Sequence, residues 1–175
     1  MHLQSVMPWL NEKYLVLYVI RDHQFQRELA NKYEGKVFWD IEPELEVWRN
    51  QTKHDRRYYG HGYEYHAAIR IFEQYGYLSL VEKYGGHGKL RHPIKRCMVE
   101  CVAGVEVAEL LGKTGKGSVQ CPDLFVFTED LTEWCFVEVK GPTDRVRPVQ
   151  RAAFDILERR TGRPWYEAKI RLVSP

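Results

Sequence analysis

The chain lacks the features that would mark a membrane, secreted or polyelectrolyte protein. Its longest apolar run near the start, Tyr14 to Ile20, is far short of the roughly 20 residues a bilayer-spanning helix needs. Asn-Glu-Lys precedes that run and Arg21-Asp22 follows it with no small-residue cleavage site, so it is not expected to be a signal peptide. Cysteine is scarce: four in 175 residues do not make a disulfide scaffold. The expected setting is a reducing, intracellular one, either cytoplasmic and nucleoid-associated or nuclear, with no membrane partner. Charge of one sign is scarce too. A net charge of +2 excludes a basic polyelectrolyte, so any nucleic-acid binding must come from local patches.

What is present is the material of a folded domain. Hydrophobic residues make up 44% and charged residues 29%, with five Trp, eleven Tyr and no low-complexity tract, enough to bury a real core. Residues 1–55 read as an N-terminal extension packing on a core of residues 56–175. In the extension, Tyr14–Ile20 is strand-like, Asp22–Tyr33 and Pro43–Lys53 are helix-like, and Lys36–Ile41 is a second possible strand. None carries recognisable chemistry.

A segment rich in His, Tyr and Arg follows, His54 to His66. Arg56, Arg57, Tyr58 and Tyr59 could pair with phosphates or stack on bases, or lie in a solvated loop. Gly60 and Gly62 break the chain before a helix over Tyr63–Tyr75, with Ala67, Ala68, Ile71 and Phe72 at core-facing spacing. Glu64 lies one turn before the alanines, on the inward side. An acid there also suits the helix dipole without any further role. Gly76 ends this helix, and Tyr77–Tyr84 reads as a strand. Ile94–Leu111 reads as one helix. Gly112-Lys-Thr-Gly-Lys-Gly is a basic loop without the ending or context of a phosphate loop. Its Lys113 and Lys116 are candidates for contacting a phosphate backbone.

Two strand-like runs come next, Cys121-Pro-Asp-Leu-Phe-Val-Phe-Thr and Cys135-Phe-Val-Glu-Val-Lys-Gly-Pro. Cys121 and Cys135 look like small buried core residues. Alternation points Glu138 and Lys140 one way and Val137 and Val139 the other. A hairpin through Glu129-Asp-Leu-Thr-Glu would bring Asp123 to the edge where Glu138 emerges. Two carboxylates then suit a hard cation such as Mg²⁺ or Mn²⁺, and Lys140 adds a fixed positive charge. An ion pair at a strand edge would explain Glu138 and Lys140 alone. Beyond, Pro148 starts a helix that runs to about Thr161 and stops at Gly162. Its expected apolar stripe is Val149, Ala153, Ile156 and Leu157. Gln150 in its first turn is placed to point back towards the carboxylates. Ala168–Val173 is a closing strand. From Lys140 onward there are nine Lys/Arg against four Asp/Glu, and Arg145, Arg147 and Arg151 stand nearest the acidic pair.

The run Pro122-Asp123 … Phe136-Val-Glu138-Val-Lys140-Gly-Pro-x-Asp144-Arg145 … Gln150 closely resembles the VRR-NUC family of the PD-(D/E)xK nuclease superfamily. The resemblance implies an α/β fold, a restriction-endonuclease-like core with a small mixed β-sheet flanked by helices. It implies a Mg²⁺- or Mn²⁺-dependent nuclease acting on duplex or branched DNA, such as flaps or four-way junctions, in repair, recombination or phage replication. Asp123, Glu138 and the Val139 carbonyl would hold the metal, Lys140 would orient or activate water, and Gln150 would support the site. A further acid on the first core helix would be Glu64, with Glu73 in reserve. Stand-alone relatives suggest a homodimer. The rival is a catalytically inactive, DNA-binding subunit of the same fold. A separate metal reading is zinc at His87, His92, Cys97 and Cys101, spaced H-x₄-H-x₄-C-x₃-C. That spacing matches no common zinc knuckle, and the two cysteines equally suit a buried helical face.

Overall fold

A computed structural model describes residues 13–20, 62–81, 84–85, 93–112 and 120–173. The expected elements of residues 22–53, the loop before Gly62, and His87, His92, Lys113 and Lys116 lie outside the described residues. Among the described residues, nine elements follow one another: β1 (Tyr14–Ile20), α1 (Gly62–Tyr75), β2 (Leu78–Val81), α2 (Pro93–Ala103), α3 (Val105–Gly112), β3 (Leu124–Phe127), β4 (Trp134–Lys140), α4 (Pro148–Thr161) and β5 (Trp165–Val173). The strands form one sheet in the order β1-β5-β4-β3-β2. β5 runs parallel to β1 and β4, whereas β3 is antiparallel to both β4 and β2. This is the expected mixed sheet with flanking helices. β1, drawn from the N-terminal extension, is its fifth strand.

Alternation along the strands sorts the core into two layers. Leu124, Val126, Cys135, Val137 and Val139 face α1, where Ala67, Ala68 and Ile71 are fully buried against them. The small alanines let the helix lie close to the sheet. Phe125, Phe127, Trp134 and Phe136 face the other way, onto Val99 of α2, Leu111 of α3 and Phe154 and Leu157 of α4. Glu138 and Lys140 continue this second face. The sheet's aromatic layer therefore runs straight into its charged end.

Five expectations need correction. The single helix over 94–111 is two helices, because Gly104 adopts φ +89° and leaves the right-handed helical region. The apolar stripe of α4 is rotated: Val149 and Ile156 are exposed, while Gln150, Phe154 and Leu157 turn inward. Gln150 takes that phase because its amide is bonded to Glu138. Cys97 and Cys101 are exposed rather than buried. α2 turns Lys95 and Val99 inward instead, and a residue two positions along a helix points to the opposite side. The strand after Gly76 is also shorter than expected, and β5 starts three residues earlier.

The helix punctuation agrees with expectation. Gly76 at φ +72° ends α1, Pro148 opens α4, and Gly162 at φ +67° closes it by donating to the Glu158 carbonyl. Left-handed closure of this kind costs glycine nothing.

Candidate active site

The site forms where the β3–β4 hairpin stops pairing. Leu124 opposes Val137, so the same register extended puts Asp123 opposite Glu138 and Pro122 opposite Val139. At the turn, the Thr128 N–H donates to the Glu133 carbonyl at 3.0 Å. Hydrogen-bonded pairs recur every second residue from there, and the 122/139 position is one of them. Proline has no N–H to give, so the ladder offers nothing to the Val139 carbonyl. The Val139 N–H donates instead to Asp123 Oδ2 at 2.8 Å. The ladder ends by exchanging a backbone acceptor for a carboxylate.

Glu138 lies at the centre of the arrangement, 1% exposed. Its Oε1 accepts from Lys140 Nζ at 2.5 Å and from Gln150 Nε2 at 2.8 Å. Asp123 reaches the same carboxyl through its side chain and its backbone N–H. Burial raises the Glu138 pKa above the ordinary carboxylate value, and Lys140 and Asp123 offset part of that rise. Two carboxyls this close repel one another when both are charged. Gln150 is held in turn: its Oε1 accepts from the Arg147 N–H at 3.1 Å. One side chain thus caps the start of α4 and orients Glu138.

The outer acid candidates lie on α1. A Cβ at Gly141 would fall 3.0 Å from the Tyr63 ring and 3.1 Å from the Asp144 carboxylate. Glycine is therefore what lets the start of α1 close on the end of β4, and it brings the first turn, with Glu64, to the site end of the sheet. Glu73 lies about 13 Å further along the helix axis, exposed and paired with Arg70 at 2.7 Å. Among the described residues, no three His, Cys, Asp or Glu side chains are grouped as a metal site. The structure brings Asp123, Glu138, Lys140 and Gln150 together.

Arg145, Arg147 and Arg151 are exposed around the start of α4. Arg151 leans over the Trp165 ring, 5.3 Å from its centroid, and lies 3.8 Å from Glu167. β5 also carries residues that the motif reading passed over. Glu138 and Lys140 pair in register with Glu167 and Lys169, a second E-x-K on the neighbouring strand. Lys169 Nζ donates to the Asp144 carbonyl and ties down the loop that follows β4. The repeat of the motif at Glu167-Ala-Lys169 is a signal visible in the sequence. Tyr84 carries no such signal in the sequence. Its hydroxyl donates to the Pro122 carbonyl, across 38 positions of chain.

A family model described as the VRR-NUC domain matches residues 62–169, more than half of the chain. The chain belongs to the VRR-NUC domain family. The match opens with α1, closes within β5 at Lys169, and includes every residue of the group just described. Curated proteins and solved structures give no match. Within the VRR-NUC domain the oxygen donors are anionic or carbonyl, a set that suits a hard divalent cation and not a soft one.

Proposed function

We propose that the protein is a Mg²⁺- or Mn²⁺-dependent deoxyribonuclease that hydrolyses phosphodiester bonds, with branched DNA such as flaps or four-way junctions as its preferred substrate. One observation carries this reading: Asp123, Glu138, Lys140 and Gln150 meet at the open end of the hairpin, beside a carbonyl that the ladder leaves unused. Asp123, Glu138 and the Val139 carbonyl would hold the ion. When bound, such an ion supplies Lewis acidity and lowers the pKa of water. Lys140 places an ammonium on the same strand face, where it orients the attacking water and offsets charge gathering on the phosphate. Gln150 holds Glu138 in its rotamer, and the buried aromatic layer behind keeps bulk water from the rear of the site.

The exposed arginines supply the sequence-independent grip. Arg145, Arg147 and Arg151 flank the site on the approach to α4, and guanidinium groups pair with phosphates in a fixed fork geometry. Glu64, at the site end of α1, would act as the outer acid. The branched-DNA preference and a homodimeric state follow from the family resemblance.

The test is cleavage of labelled duplex, flap and four-way-junction DNA with Mg²⁺ or Mn²⁺, beside Glu138→Ala and Lys140→Ala. Cutting by the unsubstituted protein alone is the expected result. Binding without cutting in either metal would overturn the catalytic reading and leave a DNA-binding module.

A further inference from the structure

Behind Asp123 lies a buried group that the proposed reaction does not use. Tyr84 is 3% exposed, and its ring packs 5.8 Å from that of Phe125. Its hydroxyl donates to the Pro122 carbonyl. At a hydrogen-bonded pair position that carbonyl would accept the N–H of Val139. Here the carbonyl is turned to the phenol, and the Val139 N–H donates to Asp123 Oδ2 at 2.8 Å.

We propose that Tyr84 is a positioning residue: by bonding the Pro122 carbonyl it fixes the backbone that leads into Asp123, and so holds the carboxylate that takes the Val139 N–H at the metal-binding edge. The proposal rests on the nuclease reading, since only then does the edge hold a metal. Two neighbours fix the tyrosine where it acts. Gly85 lies so close to Cys121 that a Cβ would collide with the sulfur, which lets the Tyr84 turn settle against the residue before Pro122. Lys95, fully buried, donates to the Val81 carbonyl at 2.6 Å and anchors the end of β2, opposite Leu124. Burying an ammonium is costly unless it is well bonded; here it ties α2 to the end of the sheet that carries the site. Burial also holds the Tyr84 phenol well above its usual pKa, reinforced by Cys121, Asp123 and Glu138, so the group is a donor at every working pH.

The experiment is Mn²⁺ binding to the whole 175-residue chain by calorimetry without DNA, for the unsubstituted chain, Tyr84→Phe and a packing control, Phe127→Leu. Tyr84→Phe keeps the ring and removes only the hydroxyl. Residues that orient metal ligands typically change metal affinity by about 10- to 100-fold, so Tyr84→Phe should weaken Mn²⁺ binding by at least about tenfold. Phe127→Leu should lower the melting temperature and leave the affinity alone. Affinity of Tyr84→Phe within about twofold of the unsubstituted chain would overturn the proposal. Equal weakening by Phe127→Leu would overturn it too, since loosened packing would then be the cause. If the unsubstituted protein binds no Mn²⁺, the nuclease reading itself fails, before any variant is compared.

Discussion

Asp130 and Glu138 sit towards opposite ends of one hairpin, and the fold treats the two carboxyls in opposite ways. At the turn, Asp130 Oδ1 accepts from the Thr128 hydroxyl at 2.6 Å, the Thr132 hydroxyl at 2.8 Å and the Thr132 N–H at 3.2 Å. Thr128 closes the backbone by accepting from the Glu133 N–H at 3.1 Å. These donors lower the Asp130 pKa, and the group stays in solvent. At the other end, Glu138 is buried, and burial raises its pKa despite Lys140 and Asp123. The turn end is satisfied by its own polar groups. The site end is built with a carboxylate that would rather not be charged and a carbonyl that the ladder does not use. Local stability and ligand capacity are thus separated along a single strand pair.

The largest break in this comparison comes from removing the charged groups of the site end. Glu138→Ala and Lys140→Ala should each reduce DNA cleavage by roughly 10³-fold or more, because residues that act as a unit fail together. Asp130→Ala, at the turn end, should leave cleavage unchanged. Initial rates on one junction substrate at saturating Mg²⁺ check both. Equal losses at both ends would show that the hairpin matters only as a scaffold.

The next effect addresses the missing N–H. Pro122→Ala supplies a donor for the Val139 carbonyl and lets the ladder extend towards the site. A new hydrogen bond contributes about 1 kcal/mol, while relaxing proline costs about 0.4–1 kcal/mol through the unfolded chain. The two nearly cancel. The melting temperature should therefore barely move, while Mn²⁺ affinity falls by about tenfold or more as the carbonyl is taken. Calorimetry and thermal melting together separate this outcome from simple destabilisation.

A smaller effect reads the raised pKa of Glu138 directly. A group whose folded pKa lies above its unfolded value contributes stability below the unfolded pKa and loses it as pH rises through the folded one. For Glu138 the unfolded reference is 4.5. Burial in the metal-free protein therefore works against the charged form of this carboxyl as pH rises. Glu138→Gln should raise the metal-free melting temperature at pH 7, with the gain vanishing as pH falls below 4.5. A loss of stability at pH 7 would show instead that the Lys140 contact outweighs burial.

How far these features could be read from the residues depends on how local their causes are. The hairpin, the stop at Gly76 and the bounds of α4 at Pro148 and Gly162 follow from alternation and from backbone constraints within a few positions. The meeting of Asp123, Glu138 and Lys140 follows once the hairpin is drawn, and Gln150 lies one turn into the next helix. Tyr84 is different, because its partner is 38 residues away and only tertiary packing joins them. Lys95 defeats pattern reading altogether, since no periodicity turns a lysine into a core. The phase of α4 escapes the pattern for a related reason: apolar spacing points Val149 and Ile156 to the core, but a polar bond from Gln150 to Glu138 decides which face turns inward.

The smallest expected effect lies at the turn. Asp130 has a lowered pKa, caused first by the Thr128 hydroxyl and then by the Thr132 side chain and N–H. A depressed carboxyl contributes stability above its unfolded pKa, here 3.8, and loses it as pH falls through the folded value. Asp130→Asn keeps the shape of the turn but accepts those hydrogen bonds without charge. Its melting temperature should fall by no more than a few degrees at pH 7 and match that of the unsubstituted protein in strong acid. Because Leu131 holds φ +62° beside it, in a region a leucine seldom adopts, the turn depends on these side-chain bonds to keep its form. A pH series of melts on Asp130→Asn and Glu138→Gln should therefore diverge in opposite directions near neutrality, the turn variant below the unsubstituted protein and the site variant above it. If both curves shifted the same way, the two carboxyls would not be playing the opposed parts that their surroundings assign them.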